Sequence, residues 1–589
     1  MKTRRLQFAC VSLLPILVAF ELLSAGAGQS VRPASAQQAV ATTGSTAIPG
    51  SQASTPVISV AISRRLTSGP DLRPRSSELT RLYDAAPPAP LWVDKDGRPN
   101  RSAHEALTLL RCADDEGLEP YDYGSAELDR LAATLDAARA PGVDAAASFD
   151  IALSAAILRY FRDLHLGRID PQSIGFRVRL PDDSHDFPAL LRAAAAGDRV
   201  ANVAADLAPA LVQYRALRRA LATYRSLASA GIAALPSVTV AVHPGESYSG
   251  LDALTRQLRA LGDLPADVPV PFSGTNVYDG AVVPAVKRFQ IRHGLEADGV
   301  LGRATQAALR VPLAWRMRQI ELALERLRWL PDLGRQRFIA LNIPMFTFWA
   351  WDSIPPTGAP SFGMRAIVGR ALNTRTPVFV EEMRQVVFRP YWNVPRSILT
   401  KEILPLLARD PSYLSLHDLE IVRGQGDDAH AEADTAENHA LLRQGALRLR
   451  QRPGPANSLG LVKFVFPNDA SVYMHGTPAQ ELFGRSRRDF SHGCVRVEDP
   501  VALAAWVLQN DRTWNRERIV AAMSGSTSQR VDLTEPIQVI LFYVTAVVIP
   551  EDGTIHFAED IYRHDLRLDR ALAKARRGPV VGHAHEGHP

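Results

Sequence analysis

"YMHGTPAQELFGRSRRDFSHGCVRVEDP" (residues 473–500) carries two histidines, His475 and His492, each followed by glycine, and a cysteine, Cys494, with Arg496 just beyond. The stretch enters from a strand-like "SVYMHG" and leaves through Asp499-Pro500 into "VALAAWVLQN". An Asp cap with Pro at the first helical position predicts a helix there. The local order is therefore strand, glycine-containing loop, helix. Cys494 sits among Gly, His and Ser, which is no core composition, so its presence calls for a chemical role.

Three chemistries compete for it. Zinc could take two nitrogens and a sulfur, but a structural site lacks a fourth ligand close by. The chain contains neither C-x-x-C nor H-E-x-x-H. A redox role needs a resolving thiol, and the sequence offers only Cys112. A nucleophilic thiol accounts for more of the residues. With a pKa near ~8.5 a thiol is mostly protonated at neutral pH and needs an imidazole or cation beside it. His475 ends a strand and can approach from a neighbouring strand, with the Gly476 carbonyl orienting its ring. His492, two residues before the cysteine, suits backbone duty. Gly493 permits a sharp turn, so that amides at Gly493 and Cys494 can face a developing oxyanion.

The chain has 589 residues, 46% of them hydrophobic and 22% charged, which predicts several domains. Lys and Arg exceed Asp and Glu by 67 to 62. That mild basic excess suits an acidic polymer without demanding one. No stripe interleaves aromatic with basic residues, so nucleic acid is not expected as a partner. "MKTRR" followed by the apolar "LQFACVSLLPILVAFELLSAGAG" reads as an export signal, with small-x-small sites at Ala25-Gly26-Ala27 and Ala34-Ser35-Ala36. An uncleaved anchor is the alternative, against which Pro15 and Glu21 count. Cys10 would leave with the signal. Cys112, in "EALTLLRCADDEGL", reads as a buried small hydrophobe or as one half of a bridge to Cys494.

Composition and periodicity divide the chain. Residues 1–36 are the signal, and 37–75, rich in Ala, Ser, Thr, Gly and Pro, read as a disordered linker. Residues 76–235 repeat apolar positions at three and four, the pattern of a helical scaffold. Residues 236–312 give three short helices. Within them "AVVPAVKRFQIRHGLEADGVLGRATQAAL" resembles the small peptidoglycan-binding domain found beside many cell-wall enzymes. Phe289, Gln290, Gly294, Leu295, Asp298, Gly299, Gly302 and Thr305 carry the likeness, and Arg303 stands where that family usually has Pro. Phe289 and Leu295 are expected in its core, and a bare spacer is the alternative role. A connecting helix (313–335) leads to 336–550, where the period shifts to two and β-branched residues appear. Residues 396–458 interrupt that domain as a mostly helical or irregular insertion, a lid. Residues 551–589 form a tail ending in "GHAHEGHP", whose His583, His585 and His588 read as exposed rather than as metal ligands.

"HGT" followed by "SHGCVRV" resembles the L,D-transpeptidase catalytic domain, whose pattern is a His, a gap, then S/T-H-G-C. "FRPYWNVPRSILTKEILP", "RQRPGPANSLGLVKFVFPN" and "RYFRDLHLGRIDP" resemble the large subgroup that carries a lid and a helical scaffold. The acidic stretch 424–440 is its weakest part. The resemblance implies a multidomain α+β protein: scaffold, peptidoglycan-binding bundle, and β-rich catalytic domain with inserted lid. It implies Cys494 as nucleophile, His475 as base, Gly476 as its orienter, and the amides of His492, Gly493 and Cys494 as oxyanion hole. The donor would be a peptidoglycan tetrapeptide and the acceptor the side-chain amine of a second diaminopimelate, giving a 3→3 cross-link with loss of D-Ala and no cofactor or metal. Arg496 would meet a stem carboxylate or pin the loop. Tyr473 and Trp392 would line the groove or fill the core, and Ser491 would contact substrate or shape the turn. Carbapenems are expected to acylate Cys494, and the location is expected to be the periplasm. Hydrolysis or lipoprotein anchoring through the same thioester, and a non-catalytic wall-binding protein, are the rival readings.

Overall fold

The computed structural model describes residues 54–68, 76–84, 88–180, 184–232, 235–236, 240–269, 276–331, 333, 336–353, 358–426 and 428–576. The expected signal, residues 1–36, lies outside them, as do His583, His585 and His588. Among the described residues no helix is long and apolar enough to cross a membrane. The architecture is multidomain α+β.

Among the described residues seven helices build the scaffold: α1 (Ser54–Ser68), α2 (Ser76–Leu82), α3 (Arg101–Arg111), α4 (Ser125–Ala137), α5 (Val143–Leu166), α6 (Phe187–Ala196) and α7 (Val200–Leu207). The near-continuous apolar run of α5 makes it the central rod, with Phe149, Leu153, Ile157 and Phe161 fully buried. One polar group is built into it. The Asp150 carboxylate accepts from Trp92 N (2.7 Å), Leu91 N (3.0 Å) and the Tyr83 hydroxyl (2.5 Å). Burial raises its pKa to about 6 despite those bonds.

Helix α1 corrects the expectation of a disordered linker over 37–75. Ile58 and Ile62 are one turn apart and, with Ala61, bury one face against α5. Composition averaged over the whole stretch hides this short i, i+4 pattern. Cys112 is also corrected. It is the half-buried C-cap of α3 and not a member of its buried face, and Cys494 is a free thiol, which excludes a bridge between the two.

Helix α8 (Val212–Ala230) ends the region expected to be scaffold but joins another core. Its Tyr214, Leu217, Leu221 and Tyr224 pack with α12 (Leu313–Leu327) and with strands of the C-terminal domain. Between them lies the bundle α9 (Leu251–Ala260), α10 (Val282–Arg292) and α11 (Arg303–Leu309). Phe289, Leu254 and Leu258 form its core, while Leu295 is only half-buried. Gln290 ties the motif together, donating to Asp298 Oδ1 (2.8 Å) and accepting from Gly299 N (2.8 Å). Gly299 has φ +78°, a conformation glycine adopts freely.

The C-terminal domain is a closed barrel in the order β1-β12-β4-β9-β10-β11-β3-β2. The ranges are β1 Phe338–Asn342, β2 Thr347–Trp351, β3 Phe362–Ile367, β4 Phe379–Phe388, β9 Val462–Val465, β10 Met474–His475, β11 Val495–Val497 and β12 Gln529–Phe542. Inward residues such as Leu341, Phe348, Val386, Phe464, Met474 and Val495 fill it. Two pairs are parallel, β1·β12 and β10·β11, and the second holds the cysteine motif.

The insertion is more ordered than the sequence suggests. Strands β5 (Trp392–Asn393), β6 (Leu419–Arg423), β7 (His430–Glu432) and β8 (Arg448–Gln451) form a four-stranded antiparallel sheet in the order β5-β8-β6-β7. Ile398, Leu399, Leu414, Leu442 and Leu449 supply a core of its own. The strands are short and their apolar positions are shared with helical turns, which is why period-two alternation is hard to read there.

The expected tail is structured as far as residue 576. Strands β13 (Ala546–Val548) and β14 (Ile555–Phe557) pair, and the helix His564–Ala575 seats Leu568 and Leu572 in the barrel core. Asp565 of that helix meets Arg326 of α12 at 2.5 Å with both side chains buried, and also accepts from Thr545 Oγ1. Removing one partner leaves an uncompensated buried charge, so Asp565→Ala should cost about 3–5 kcal/mol. Urea unfolding checks this, and a change under about 0.5 kcal/mol would show that the tail does not hold the domain together.

Candidate active site

Parallel pairing of β10 with β11 sets Met474 beside Val495 and His475 beside Arg496. Parallel neighbours cannot be joined by a tight hairpin and need a crossover of a dozen or more residues. The chain from Gly476 to Gly493 is that crossover, with a short 3₁₀ turn at Gln480–Gly484. It returns Cys494 to the mouth of the barrel next to the strand that carries His475.

The cysteine loop is fixed from below. Ser491 N donates to Val368 O (2.9 Å), and Arg370 N and Thr374 Oγ1 donate to Ser491 O (3.0 and 3.1 Å). Thr376 Oγ1 donates to Gly493 O (2.8 Å). Gly493 has φ +115°, and Cβ atoms are rarely tolerated there. The Ser491 hydroxyl donates to Cys494 O (2.5 Å) and accepts from Gly493 N (3.2 Å). Ser491 therefore shapes the turn, and it occupies the Gly493 amide.

His475 is buried, and its Nδ1 lies 2.5 Å from Gly476 O. A carbonyl only accepts, so Nδ1 carries the proton and Nε2 keeps its lone pair. Burial, then the Arg496 charge, lowers its pKa to about 3. The imidazole is thus neutral across the physiological range. Cys494 is half-buried, 3.9 Å from Ser471 O, and close enough to Tyr473 for each to act on the other's ionisation. Burial raises the thiol, against the opposing pull of Tyr473, Lys463 and Arg496. Both groups rest neutral on neighbouring strands, not as a preformed ion pair.

Lys463 of β9 was not singled out from the sequence. It pairs with His475 across the sheet, and its ammonium lies 4.0 Å from the Tyr473 ring centroid. Glu402 was also missed. It accepts from His492 Nε2 at 2.6 Å, joining the lid to the cysteine loop. A π turn (Leu399–Ile403) presents Glu402, an irregularity common at functional sites. A cavity of about 480 Å³ opens between Lys401 and Glu402 on one side and Arg370, Thr374 and His492 on the other. Only sequence-distant pairing reveals these two residues, since neither stands near the cysteine motif in the chain.

Pairing of β10 with β11 therefore sets Tyr473, His475 and Gly476 on the strand next to the loop that carries Ser491, Gly493 and Cys494. Tyr473 stands 5.7 Å, ring to ring, from His475. His492 turns its ring to the lid, and Trp392 stands apart, half-buried on the lid's own core. Both ring contacts commit the histidines to other partners, and among the described residues no group of three His, Cys, Asp or Glu side chains is placed to hold a metal ion.

With a buried neutral thiol, alkylation of Cys494 by iodoacetamide should be slow at pH 7 and rise with a midpoint above the ordinary thiol value of ~8.5. Stopped-time intact mass between pH 6 and 11 measures it. A fast, pH-independent reaction below pH 8 would mean a thiolate is already present.

Comparison with known families agrees with this geometry. Residues 337–521 match the "L,D-transpeptidase catalytic domain", 77–221 the "Scaffold domain", and 247–309 the "Putative peptidoglycan binding domain". A curated "Putative L,D-transpeptidase" of Haemophilus influenzae is 33% identical over 258 residues. That alignment spans 43% of this chain and 49% of the relative, so the chain spans about half the length of the curated relative it matches. The crystal structure of an L,D-transpeptidase from Xylanimonas cellulosilytica is 17% identical, covering 52% of this chain and all (100%) of that one, with a TM-score of 0.16, too low to bear on the fold. The barrel with its cysteine loop is thus the part of the chain that matches the L,D-transpeptidase catalytic domain.

Proposed function

We propose that the protein cross-links peptidoglycan outside the inner membrane, forming 3→3 diaminopimelate bonds through a thioester on Cys494. The observation that carries this reading is the oriented, neutral His475, whose Nδ1–H is held by Gly476 O at 2.5 Å while Nε2 is left to act as base. In this reading Cys494 Sγ attacks the carbonyl of the diaminopimelate L-centre and its proton passes to His475 Nε2. The tetrahedral intermediate collapses, the imidazolium protonates the departing D-Ala amine, and a thioester remains. The side-chain amine of a second diaminopimelate then attacks, His475 takes its proton, and the amide product leaves while the thiol is reprotonated. Bond energy is conserved in the thioester, so no nucleotide is needed.

The supporting roles follow. The amides of His492 and Cys494 hold the oxyanion, joined by Gly493 once Ser491 Oγ yields its 3.2 Å bond. Tyr473 and Lys463 lower the thiol against the burial that raises it. The bundle 247–309 and the scaffold keep the catalytic domain against the wall, and the expected export signal delivers it to the periplasm. The same thiol would open a carbapenem ring to an acyl-enzyme. Water in place of the amine gives a carboxypeptidase, and a lipoprotein lysine gives an anchoring enzyme; the motif does not choose among acceptors.

Incubation of the mature protein with disaccharide-tetrapeptides, read by mass spectrometry, tests the reading. Dimers with loss of one D-Ala, absent with Cys494→Ala and reduced at least ~100-fold with His475→Ala, are the expected products, in line with loss of a general base. Tripeptides alone would make water the acceptor, and no turnover with retention on sacculi would leave a wall-binding protein.

A further inference from the structure

The segment that matches the catalytic domain ends at residue 521, yet the cysteine loop is held from beneath by a side chain well beyond it. Tyr562 stands just before the helix His564–Ala575, in the stretch whose sequence reads as a tail, and is only 1% exposed. Its hydroxyl donates to Gly369 O (2.5 Å) and accepts from Thr376 N (3.2 Å). Gly369 N in turn donates to Thr376 Oγ1 (2.9 Å), and Thr376 Oγ1 donates to Gly493 O (2.8 Å). A hydroxyl has one proton to give, so each is committed: Tyr562 to Gly369 and Thr376 to Gly493. These buried bonds run unbroken from the tail to the residue before the nucleophile.

Both ends of the path are rigid. Tyr562 N donates to the Tyr543 hydroxyl (3.0 Å), which donates to Asp560 Oδ1 (2.6 Å). The same carboxylate accepts from the amides of His564 (2.7 Å) and Asp565 (3.0 Å), so Tyr562 is tied to the end of β12 and to the helix that follows. At the other end a Cβ on Gly369 would lie 1.9 Å from Thr374 O and 2.7 Å from Thr376 N, so the turn 369–376 closes on itself without slack. What the path fixes is a direction. Gly493 C=O and Cys494 N–H belong to one planar trans peptide and point opposite ways. Drawing Gly493 O onto Thr376 therefore turns the Cys494 N–H away from that turn, and among the described residues no acceptor takes it. Glycine is the residue least able to hold a peptide plane by its own sterics, and Gly493 sits at φ +115°. The restraint has to come from outside.

We propose that Tyr562 is a positioning residue for acyl transfer: through Gly369 and Thr376 it holds the Gly493–Cys494 peptide so that the Cys494 N–H faces the oxyanion formed on the attacked carbonyl. This deepens the transpeptidase reading and rests on it. Tyr562 touches neither the thiol nor the substrate and acts only through the turn it ties down. An oxyanion donor is effective because it is aimed before charge develops, and losing one outright costs roughly 100- to 1000-fold in kcat. A donor left in place but free to swing loses part of that. The loss falls on the transition state, so it appears in kcat and leaves KM.

Variants of the full mature protein separate aiming from mere support. Tyr562→Phe keeps the ring and deletes both hydroxyl bonds, and Thr376→Val deletes the bond to Gly493 O. On disaccharide-tetrapeptide, Tyr562→Phe should lower kcat about 10-fold and Thr376→Val about 100-fold, each with KM within about twofold of wild type. Thr376→Ser, which keeps the hydroxyl, should recover most of what Thr376→Val loses. Tyr562→Phe combined with Thr376→Val should be no slower than Thr376→Val alone, because both act through one bond. Alkylation of Cys494 by iodoacetamide passes through no oxyanion, so its rate should stay within about twofold of wild type in every variant. An unchanged kcat in Tyr562→Phe, losses that multiply in the double variant, or alkylation falling in step with kcat would overturn the positioning role while leaving the transpeptidase intact. No turnover by wild type would sink the transpeptidase reading and the positioning role with it.

Discussion

The parallel pairing of β10 with β11 is the constraint on which the site depends. Because parallel strands cannot be closed by a hairpin, the chain must leave the barrel after His475 and return before Cys494. The gap in the motif is that crossover, and its glycines are where the backbone turns. Met474 and Val495 anchor the pair in the barrel core, so His475, Arg496 and the thiol inherit their places from apolar packing. Thr376, Thr374 and the strand bridge at Gly369 then fix the loop from beneath.

Electrostatics follow from that burial. A buried imidazole is held neutral and a buried thiol is held protonated, so the resting site stores no charge pair. In the proposed reaction proton transfer would be coupled to attack on a bound carbonyl, and water would meet a weak nucleophile in the meantime. The nearby cations Lys463 and Arg496 favour the thiolate as it forms. The lid meets this loop through the His492–Glu402 contact (2.6 Å), which commits the second imidazole to a role outside proton transfer.

The cysteine motif stood out in the sequence because its residue types are rare outside chemistry and its spacing reflects backbone topology. The scaffold and the three-helix bundle were legible through apolar periodicity and the Gln290–Asp298–Gly299 turn. What the sequence concealed has a common cause: short elements whose apolar face is completed by distant chain. Ile58 and Ile62 make a helix only because α5 receives them. Leu568 and Leu572 do so only because the barrel core is open to them. Helix α8 reads as scaffold by periodicity, yet its tyrosines and leucines bury against α12. The lid sheet escapes period-two reading because its strands are two to five residues long. Lys463 and Glu402 are unremarkable in the chain and gain meaning from cross-strand and cross-domain contact.

The central claim is that Cys494 alone carries the acyl group between donor and acceptor. Rapid quenching of the protein after mixing with tetrapeptide donor and no acceptor, followed by intact and peptide mass, measures this directly. The account predicts an adduct of the donor less D-Ala, confined to the peptide containing Cys494 and cleaved by hydroxylamine as a thioester. Product formed without such an adduct, or an adduct on another residue, would contradict it.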